Sequence, residues 1–387
     1  MTPLPTVAPA DMMMRTYKDR PISFVSGQGS TLVDDDGDEY LDLVAGIAVA
    51  GVGHSHPKVA AAIASQAATL IHTSNLYGTT PQVELADRLA EISGGKLSFF
   101  ANSGAETIEC ALKLARRFHD GARTGFVATD GGFHGRTFGA LSATGQPAKQ
   151  APFAPMVPGF THVPYGDLGA LEAAVDGDVA AVLLEPIQGE GGVVVPPPGY
   201  IQGARDICDR TGALLILDEV QTGLGRTGYW FAAEHDGVDP DIACLAKSLG
   251  GGLPIGACLA RPDVAERFQP GDHATTFGGG PVQCSAAIAT LDVIVEEGLL
   301  NRSATAGQRF AGGLKALGRG TVRGRGLMLA LDLEAPIAGA VTAAALERKV
   351  LVNEVSASAI RITPPLVITD DEIDHAIGVL AEVLDEI

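Results

Sequence analysis

The sequence has no apolar run long enough to span a bilayer, and its first twenty residues lack the charged-then-apolar pattern of a secretion signal. Cysteine is scarce, with five scattered residues and no CxxC pair, which argues against a disulfide frame or a zinc site. Basic residues number 27 against 46 acidic ones, so the net charge is −19. We therefore expect a cytoplasmic protein that binds neither nucleic acid nor anionic membranes.

What the sequence does contain is an alternation of short apolar runs and helical patterns. "VAAVLLEPI" and "ALLILDEV" are typical of strands covered on both faces, and "GYIQGARDICDRTG" between them is typical of a helix. This predicts an α/β protein with a mostly parallel central sheet and helices on both faces. A smaller α+β domain is expected from both termini, with residues 1–55 and 284–387 flanking a large domain at 56–283.

One lysine stands in an apolar, glycine-rich stretch, "CLAKSLGGGLPIG" (244–256), which has no other charged residue. Lys247 could keep its charge by extending its stem along the apolar run with the amine in water. It could instead be buried with a lowered pKa and serve as a nucleophile. The stretch alone leaves both readings open.

Other polar groups follow the predicted strands, where ligands of parallel sheets bind. "NSGA" (102–105) opens a helix, where Ser103 can cap the helix or the N–H groups can bind phosphate. Asp218 follows a buried strand and needs a metal, a ribose hydroxyl or a protonated ring nitrogen as its partner. "EPIQGEGG" begins at Glu185 and "FHGRT" begins at Phe133. A lysine, an acid, a helix N-terminus and an aromatic ring together meet the needs of a pyridoxal phosphate site.

Ordered blocks from about Tyr40 to the C-terminus resemble the class III, fold-type I pyridoxal-phosphate aminotransferases. They include "AGIAVAGVGHSHP", "FFANSGAE", "FHGRTFGALSATGQP", "LEPIQGEGGV", "LDEVQTGLGRTG", "LAKSLGGGLPIGA" and "RITPPLVIT". Within that family the chain is most similar to the acetylornithine aminotransferases. The resemblance implies pyridoxal 5′-phosphate as the cofactor, held by Lys247 through a Schiff base.

The resemblance also implies the cofactor contacts. Asp218 would pair with the ring nitrogen, Gln221 with the phenolic oxygen, and Lys247 would also shuttle the proton. The other implied contacts are the phosphate-binding Ser103, Gly104 and Ala105, Thr276 reaching the phosphate from a neighbouring subunit, Phe133 stacked on the ring, Glu185 on the hydroxyl side, and Glu219 and Val220.

On the substrate side, the resemblance implies that Arg361 grips an α-carboxylate. A donor that reacts through its distal amine places no carboxylate there, so Glu190 would mask Arg361 during that half-reaction. Arg136 would hold the far carboxylate of either substrate as a bidentate pair. Thr275 and the apolar Ile47 complete the predicted substrate site.

The resemblance implies that a homodimer converts N2-acetylornithine and 2-oxoglutarate to N-acetylglutamate semialdehyde and glutamate in arginine biosynthesis. Ornithine, 4-aminobutyrate and lysine-pathway N-acyl-amine aminotransferases are the nearest alternatives. Arg136 and Arg361 together disfavour the family's aminomutase, because they suit a dicarboxylate acceptor. A pyridoxal-phosphate-sensing regulator would need an effector domain, and the material before Tyr40 is too short for one. No metal is expected, since His54 and His56 have no third ligand in the pattern.

Overall fold

A computed structural model describes residues 14–17 and 22–387. The predicted absence of a secretion signal and the first part of the predicted 1–55 segment lie outside those residues. In the part of the chain that is described, no helix has the length and apolar character needed to cross a membrane.

The strands and helices follow the predicted alternation. The strands are β1 Phe24–Gln28, β2 Thr31–Asp34, β3 Glu39–Asp42, β4 Leu97–Ala101, β5 Gly125–Thr129, β6 Phe160–Val163, β7 Val179–Leu184, β8 Leu214–Asp218, β9 Ile242–Leu245, β10 Gly256–Ala260, β11 Gly320–Arg325, β12 Met328–Leu333, β13 Val350–Leu351, β14 Asn353–Glu354 and β15 Ala359–Ile362. The helices are α1 Ala45–Ala48, α2 Pro57–Thr69, α3 Thr80–Ile92, α4 Gly104–Phe118, α5 Phe138–Ala143, α6 Pro147–Gln150, α7 Leu168–Ala174, α8 Tyr200–Thr211, α9 Pro262–Ala265, α10 Pro281–Glu296, α11 Leu299–Ala316, α12 Ala338–Glu347 and α13 Asp370–Glu386.

The central sheet has the strand order β4-β10-β9-β8-β7-β5-β6. β10 runs antiparallel to both of its neighbours, whereas the other adjacent strands are parallel. Because β4 and β9 both oppose β10, they are parallel to each other. The carboxyl ends of β4, β9, β8, β7 and β5 therefore meet at one edge of the sheet. The predicted mostly parallel sheet is confirmed.

Both faces of this sheet are covered, because successive side chains of a strand point to opposite faces. In β8, Ile216 packs in a cluster with α4 residues such as Ile108. Its neighbour Leu215 packs in a second cluster with α8 residues such as Ile201. The continuous apolar run predicted for β8 is thus explained by helices on both faces, as the fold class required.

Two smaller sheets flank the central one. β1, β2, β3 and β13 form one, in which β13 from the C-terminal part pairs in parallel with β3 from the N-terminal part. β11, β12, β15 and β14 form the other, which is antiparallel throughout. The domain limits 1–55, 56–283 and 284–387 stay a prediction.

The five cysteines are free and buried, as expected for thiols of a protein without disulfides. The two N-terminal histidines each face a carboxylate. His54 Nε2 lies 2.7 Å from Asp42 Oδ2, and His56 Nε2 lies 3.0 Å from Glu297 Oε1. Both side chains therefore have structural partners.

Candidate active site

A cavity of about 410 Å³ opens at the carboxyl edge of the central sheet. It is lined by residues that directly follow β4, β7, β8 and β9, where loops leave neighbouring parallel strands. The sequence-predicted residues that line it are Ser103, Gly104, Ala105, Phe133, Glu185, Glu190, Asp218, Val220, Gln221 and Lys247.

Lys247 begins a short 3-10 turn, Lys247–Gly250, immediately after β9. Its backbone has a φ of 42°, in the left-handed region that non-glycine residues rarely adopt. Burial, reinforced by the positive charge of Arg361, lowers the pKa of the Lys247 amine to about 8. The amine therefore loses its proton more readily than an ordinary lysine does, as a nucleophile or proton acceptor requires.

Asp218 closes β8 and is paired with His134. The His134 Nδ1 atom lies 2.8 Å from Asp218 Oδ2, and the two side chains are buried. Burial disfavours the imidazolium, but the hydrogen bond and charge of Asp218, with the charge of Glu185, raise the pKa of His134. A buried carboxylate is thus held in a fixed orientation against the cavity.

Glu185 follows β7 and organises two loops at the cavity wall. One carboxylate oxygen accepts from Phe133 N at 2.9 Å, and the other accepts from Gly189 N at 3.0 Å. Burial, with the charge of Asp218, raises the pKa of Glu185 to about 7, although His134 opposes this. The carboxylate therefore fixes the backbone on which the Phe133 ring and the Glu190 side chain are carried.

The helix α4 points its N-terminus at the cavity. Ser103 Oγ accepts from Glu106 N at 3.3 Å, so the predicted helix cap is present. A Cβ on Gly104 would lie 2.9 Å from a Val220 methyl carbon, and a Cβ on Gly135 would lie 2.6 Å from Ala105 Cβ. Glycine at these positions lets the backbone of the loop and helix approach closely, with free N–H groups suited to an anion.

Arg361, in β15, lies buried beside this cavity. Its guanidinium forms a close ion pair with Glu190 and donates to Gln221 Oε1 at 3.2 Å and to Asn353 Oδ1 at 2.6 Å. Although burial opposes ionisation of Glu190, Arg361 lowers the pKa of that carboxyl. The Arg361 side chain is 1% exposed, but that of Glu190 is 28% exposed. Glu190 is therefore the residue of this ion pair that can move away from the other.

Two cations flank the Phe133 ring at the edge of the cavity. Arg136 Cζ and Lys149 Nζ each lie 5.6 Å from the ring centroid. Arg136 is exposed and Lys149 is half-buried. Burial lowers the pKa of the Lys149 amine, Arg136 lowers it further, and Glu190 opposes the shift.

Besides Arg361 and Arg136, which lie beside the cavity and at its edge, four predicted site residues do not line it. The Glu219 carboxylate turns away from it and accepts from Ala232 N at 3.0 Å and Ala233 N at 2.9 Å. Its side chain therefore supports a neighbouring 3-10 turn and does not contact the cavity. Ile47 is 39% exposed, and Val49, two residues further on, lines the cavity in its place.

The other two residues belong to the segment before α10. Thr275 Oγ1 lies 3.3 Å from Asn102 Nδ2, next to the N-terminus of α4. Thr276 is exposed and lines a separate small depression with His72, Tyr77 and Phe277. Within one copy of the described chain, Thr276 is thus not brought to the cavity.

Comparisons with known proteins agree with this arrangement. The family described as "Aminotransferase class-III" matches residues 12–384. The chain belongs to the class-III aminotransferases. It is 51% identical to the acetylornithine aminotransferase of Mycobacterium tuberculosis, over 97% of this chain and 94% of that protein. It is 49% identical to the one from Methanothermobacter thermautotrophicus, over 97% of each.

Solved structures give the same family. The ornithine aminotransferase from Toxoplasma gondii superimposes with a TM-score of 0.94 at 36% identity, covering 97% of this chain and 93% of that one. Another structure of that enzyme, crystallised in the presence of oxidised glutathione, is described as having partial occupancy of pyridoxal phosphate at its active site. This class-III aminotransferase is a pyridoxal-phosphate-dependent enzyme.

The cavity of this aminotransferase fits the cofactor on its own geometry. It has a lysine of lowered pKa, a buried carboxylate fixed by His134, and a helix N-terminus approached through Gly104. The sequence pattern did not predict the contribution of His134, although this residue stands in the family block "FHGRT". The signal was a histidine beside the predicted stacking residue in a loop that follows a strand. Nor did the sequence pattern predict the role of Asn353, whose amide oxygen accepts from Arg361 and which lies in a separate strand.

Proposed function

We propose that this chain is an acetylornithine aminotransferase of arginine biosynthesis. It would transfer the distal amino group of N2-acetyl-L-ornithine to 2-oxoglutarate, giving N-acetyl-L-glutamate 5-semialdehyde and L-glutamate. The observation that carries the proposal is the buried Arg361, paired with the more exposed Glu190 beside Lys247. The names of the relatives at 49% and 51% identity support the choice of donor.

The pair of Arg361 and Glu190 allows two substrates to present different chemical groups at the same position of the site. An amine donor places its reacting end there without a carboxylate, and Glu190 neutralises the buried guanidinium. The acceptor 2-oxoglutarate brings its own α-carboxylate, which can take the place of Glu190. Asn353 and Gln221 remain bonded to Arg361 during this exchange and keep its fork oriented for a bidentate pair.

The residues of the cavity have distinct roles toward the cofactor in this proposal. Lys247 Nζ binds the cofactor covalently and later moves the proton to and from the reacting carbon. Asp218, fixed by His134, pairs with the ring nitrogen. Bound pyridoxal phosphate supplies the conjugated ring that accepts the electron pair left on the substrate carbon. The remaining proposed contacts are Ser103, Gly104 and Ala105 for the phosphate, Phe133 for stacking, Gln221 for the phenolic oxygen, and Glu185 and Val220 along the wall.

Arg136 is the proposed partner of the carboxylate at the far end of each substrate. It is exposed beside Phe133, and no ion pair to its guanidinium occurs within residues 14–17 and 22–387. The α-carboxylate of N2-acetylornithine and the distal carboxylate of 2-oxoglutarate could both be bound there. Lys149, beside the same ring, adds positive charge to this end of the site.

Ornithine aminotransferase is the main alternative, because a solved relative of that name has the same fold. Its identity to this chain, 36%, is lower than that of the acetylornithine aminotransferases. The substrate wall also disfavours free ornithine: Val49, which lines the cavity, and the nearby, partly exposed Ile47 are both apolar, and burying a free ammonium without a partner costs several kcal/mol. An acetylated amide carries no such charge. 4-Aminobutyrate and lysine-pathway N-acyl amines are the remaining candidate donors.

We propose that the chain forms a homodimer with shared active sites. We also propose that this dimer is located in the cytoplasm. Thr276 is exposed among apolar neighbours, of which Phe277 is 64% exposed and Tyr77 is 72% exposed. An exposed apolar cluster of this kind is typical of a subunit interface. Thr276 of each subunit would then reach the phosphate site of the other. The buried free cysteines support a reducing compartment.

The test of this function is a panel of amine donors assayed with saturating 2-oxoglutarate. The panel contains N2-acetylornithine, ornithine, 4-aminobutyrate and a lysine-derived N-acylated amine. We expect the highest kcat/KM with N2-acetylornithine. A higher value for another donor would reassign the substrate and leave the family unchanged.

A further inference from the structure

Arg226 is among the largest fully buried side chains of the described residues, and it lies in the loop that follows β8. Its Nη1 group donates to Leu327 O at 3.0 Å and to Pro364 O at 2.5 Å. For the described part of the chain, its Nε and Nη2 atoms have no hydrogen-bond partner. No carboxylate in that part forms an ion pair with it. The guanidinium is thus held by backbone carbonyls alone.

A cation in this position is costly. Burial lowers the pKa of the Arg226 guanidinium to about 9. A buried charge without a counter-charge is strongly disfavoured, and an apolar side chain of similar volume would fill the space at less cost. Packing alone therefore does not explain an arginine here. The explanation lies in the two carbonyl groups that it joins.

Both carbonyl groups flank the pair of strands β12 and β15, of which β15 carries Arg361. Leu327 directly precedes β12, and Ala330 of β12 is the register partner of Arg361 in β15. Pro364 lies just beyond the end of β15. The Arg226 backbone also accepts from Leu327 N at 3.0 Å. Arg226 therefore contacts this strand pair at the start of one strand and beyond the end of the other.

The segment that follows β15, residues 363–366, is also fixed by bonds that do not involve Arg226. Thr363 N donates to Leu43 O at 2.8 Å, and Leu366 N donates to Gly51 O at 2.7 Å. These bonds hold the segment against the N-terminal wall of the cavity. Arg226 ties it to a different element, the loop after β8 that also carries Gln221. Without the Arg226 side chain, the two hydrogen bonds that tie Leu327 O and Pro364 O to the loop after β8 would be lost.

We propose that Arg226 is a positioning residue that sets the place of Arg361 for binding a substrate α-carboxylate. The proposal rests on the proposed function, in which Arg361 binds 2-oxoglutarate and glutamate but not the amine donor. Displacing Arg361 should therefore weaken one half-reaction selectively. The half-reaction with N2-acetylornithine, which uses Arg136 for its carboxylate, should change little.

The experiment compares Arg226→Met and Arg226→Lys with the wild type, all loaded with cofactor. Single-turnover absorbance gives the rates with glutamate and with N2-acetylornithine, and steady-state kinetics give KM for 2-oxoglutarate. In Arg226→Met we expect KM for 2-oxoglutarate to rise about tenfold, and the glutamate rate at low substrate to fall similarly. The N2-acetylornithine rate should stay within about twofold of the wild type. Arg226→Lys keeps a donor for one carbonyl. Its KM for 2-oxoglutarate and its glutamate rate should lie between those of the wild type and of Arg226→Met.

Arg302→Met is the matched control. Arg302 Nε also donates to a backbone carbonyl after β15, that of Ile368 at 2.9 Å, but further from Arg361. Its loss should lower the melting temperature without changing the ratio of the two half-reaction rates. If Arg226→Met does not fold, Arg226→Lys and the control still give this ratio.

The positioning role would be overturned if the folded Arg226 variants had the same ratio of glutamate rate to N2-acetylornithine rate as Arg302→Met. Failure of the proposed function is separately visible, because the wild type would then not use N2-acetylornithine. In that case the glutamate rate is compared with the rate of the amine donor that the wild type does use. A selective loss with glutamate would still support the role of Arg226.

Discussion

His134 Nδ1 lies 2.8 Å from Asp218 Oδ2, and both side chains are buried in the wall of the cavity. His134 lies in the loop after β5, and Asp218 is the last residue of β8. The contact gives the Asp218 carboxylate a fixed orientation and a partner of opposite charge. It also makes the stability of the site depend on pH, because a buried histidine with a raised pKa loses its charge as the pH rises.

His134→Gln should flatten this pH dependence. Burial works against the charged form of His134, but Asp218 outweighs it and raises the pKa. The stabilisation is therefore complete below the ordinary pKa of histidine and is lost as the pH rises through the raised value. We expect His134→Gln to cost about 1 to 3 kcal/mol at low pH and less at high pH. Melting temperatures of the wild-type and His134→Gln holoenzymes, taken from below the ordinary histidine pKa to above the raised one, give the difference in stability. A difference that does not change with pH would contradict the prediction.

Lys247→Ala should abolish steady-state turnover. The variant loses the only amine in the described residues that lines the cavity, while the phosphate and ring contacts remain. We expect the variant to retain cofactor non-covalently. Borohydride reduction of the wild type should leave the pyridoxyl group on Lys247, as peptide mass spectrometry would detect. A reduced adduct on another lysine would be inconsistent with the assignment.

Glu190→Ala should leave Arg361 permanently open to α-carboxylates. Glutamate and other α-amino donors should then compete better against N2-acetylornithine, because the buried guanidinium has lost its neutralising partner. Stopped-flow absorbance measures the ratio of the two half-reaction rates. Glu172→Ala, which removes an exposed carboxylate paired with Arg210, is the control. An unchanged ratio in Glu190→Ala would show that Glu190 does not mask Arg361.

Ile47 separates the acetylated donor from the free one in our proposal. The wild type should prefer N2-acetylornithine over ornithine in kcat/KM by about tenfold or more, equivalent to at least ~1.4 kcal/mol. Ile47→Tyr adds a hydroxyl that can orient the α-amino end of ornithine, and it should narrow this preference. Ile47 has a φ of 63°, so Ile47→Leu is needed as a control for strain in a left-handed backbone. Equal use of both donors by the wild type would remove this basis for the substrate.

Hybrid dimers test the shared site. Lys247→Ala leaves Thr276 intact, and a Thr276→Val subunit leaves Lys247 intact. If Thr276 serves the neighbouring site, mixing the two inactive or weakened variants should restore activity, because one site of the hybrid is complete. Sedimentation of the wild type should show a dimer or larger assembly. A fully active monomer would rule out the shared site.

The layered fold and most of the cavity could be predicted from the amino-acid sequence alone. Apolar runs such as β8 are legible without a structure because a strand covered on both faces has no polar positions. Residues that directly follow such strands, including Asp218 and Lys247, must meet at one edge of a parallel sheet. Their convergence therefore follows from their position after a strand. The family blocks added the expected cofactor.

Which of these side chains face the cavity, and what holds them there, depends on how the whole chain packs. Glu219 follows Asp218 directly, yet its carboxylate turns to Ala232 and Ala233, and a local pattern does not reveal such distant acceptors. The partners of Asp218 and Arg361 are equally remote in sequence. Hydrogen bonds of this kind depend on distances of a few ångströms between separate loops, which are set by the packing of the whole chain.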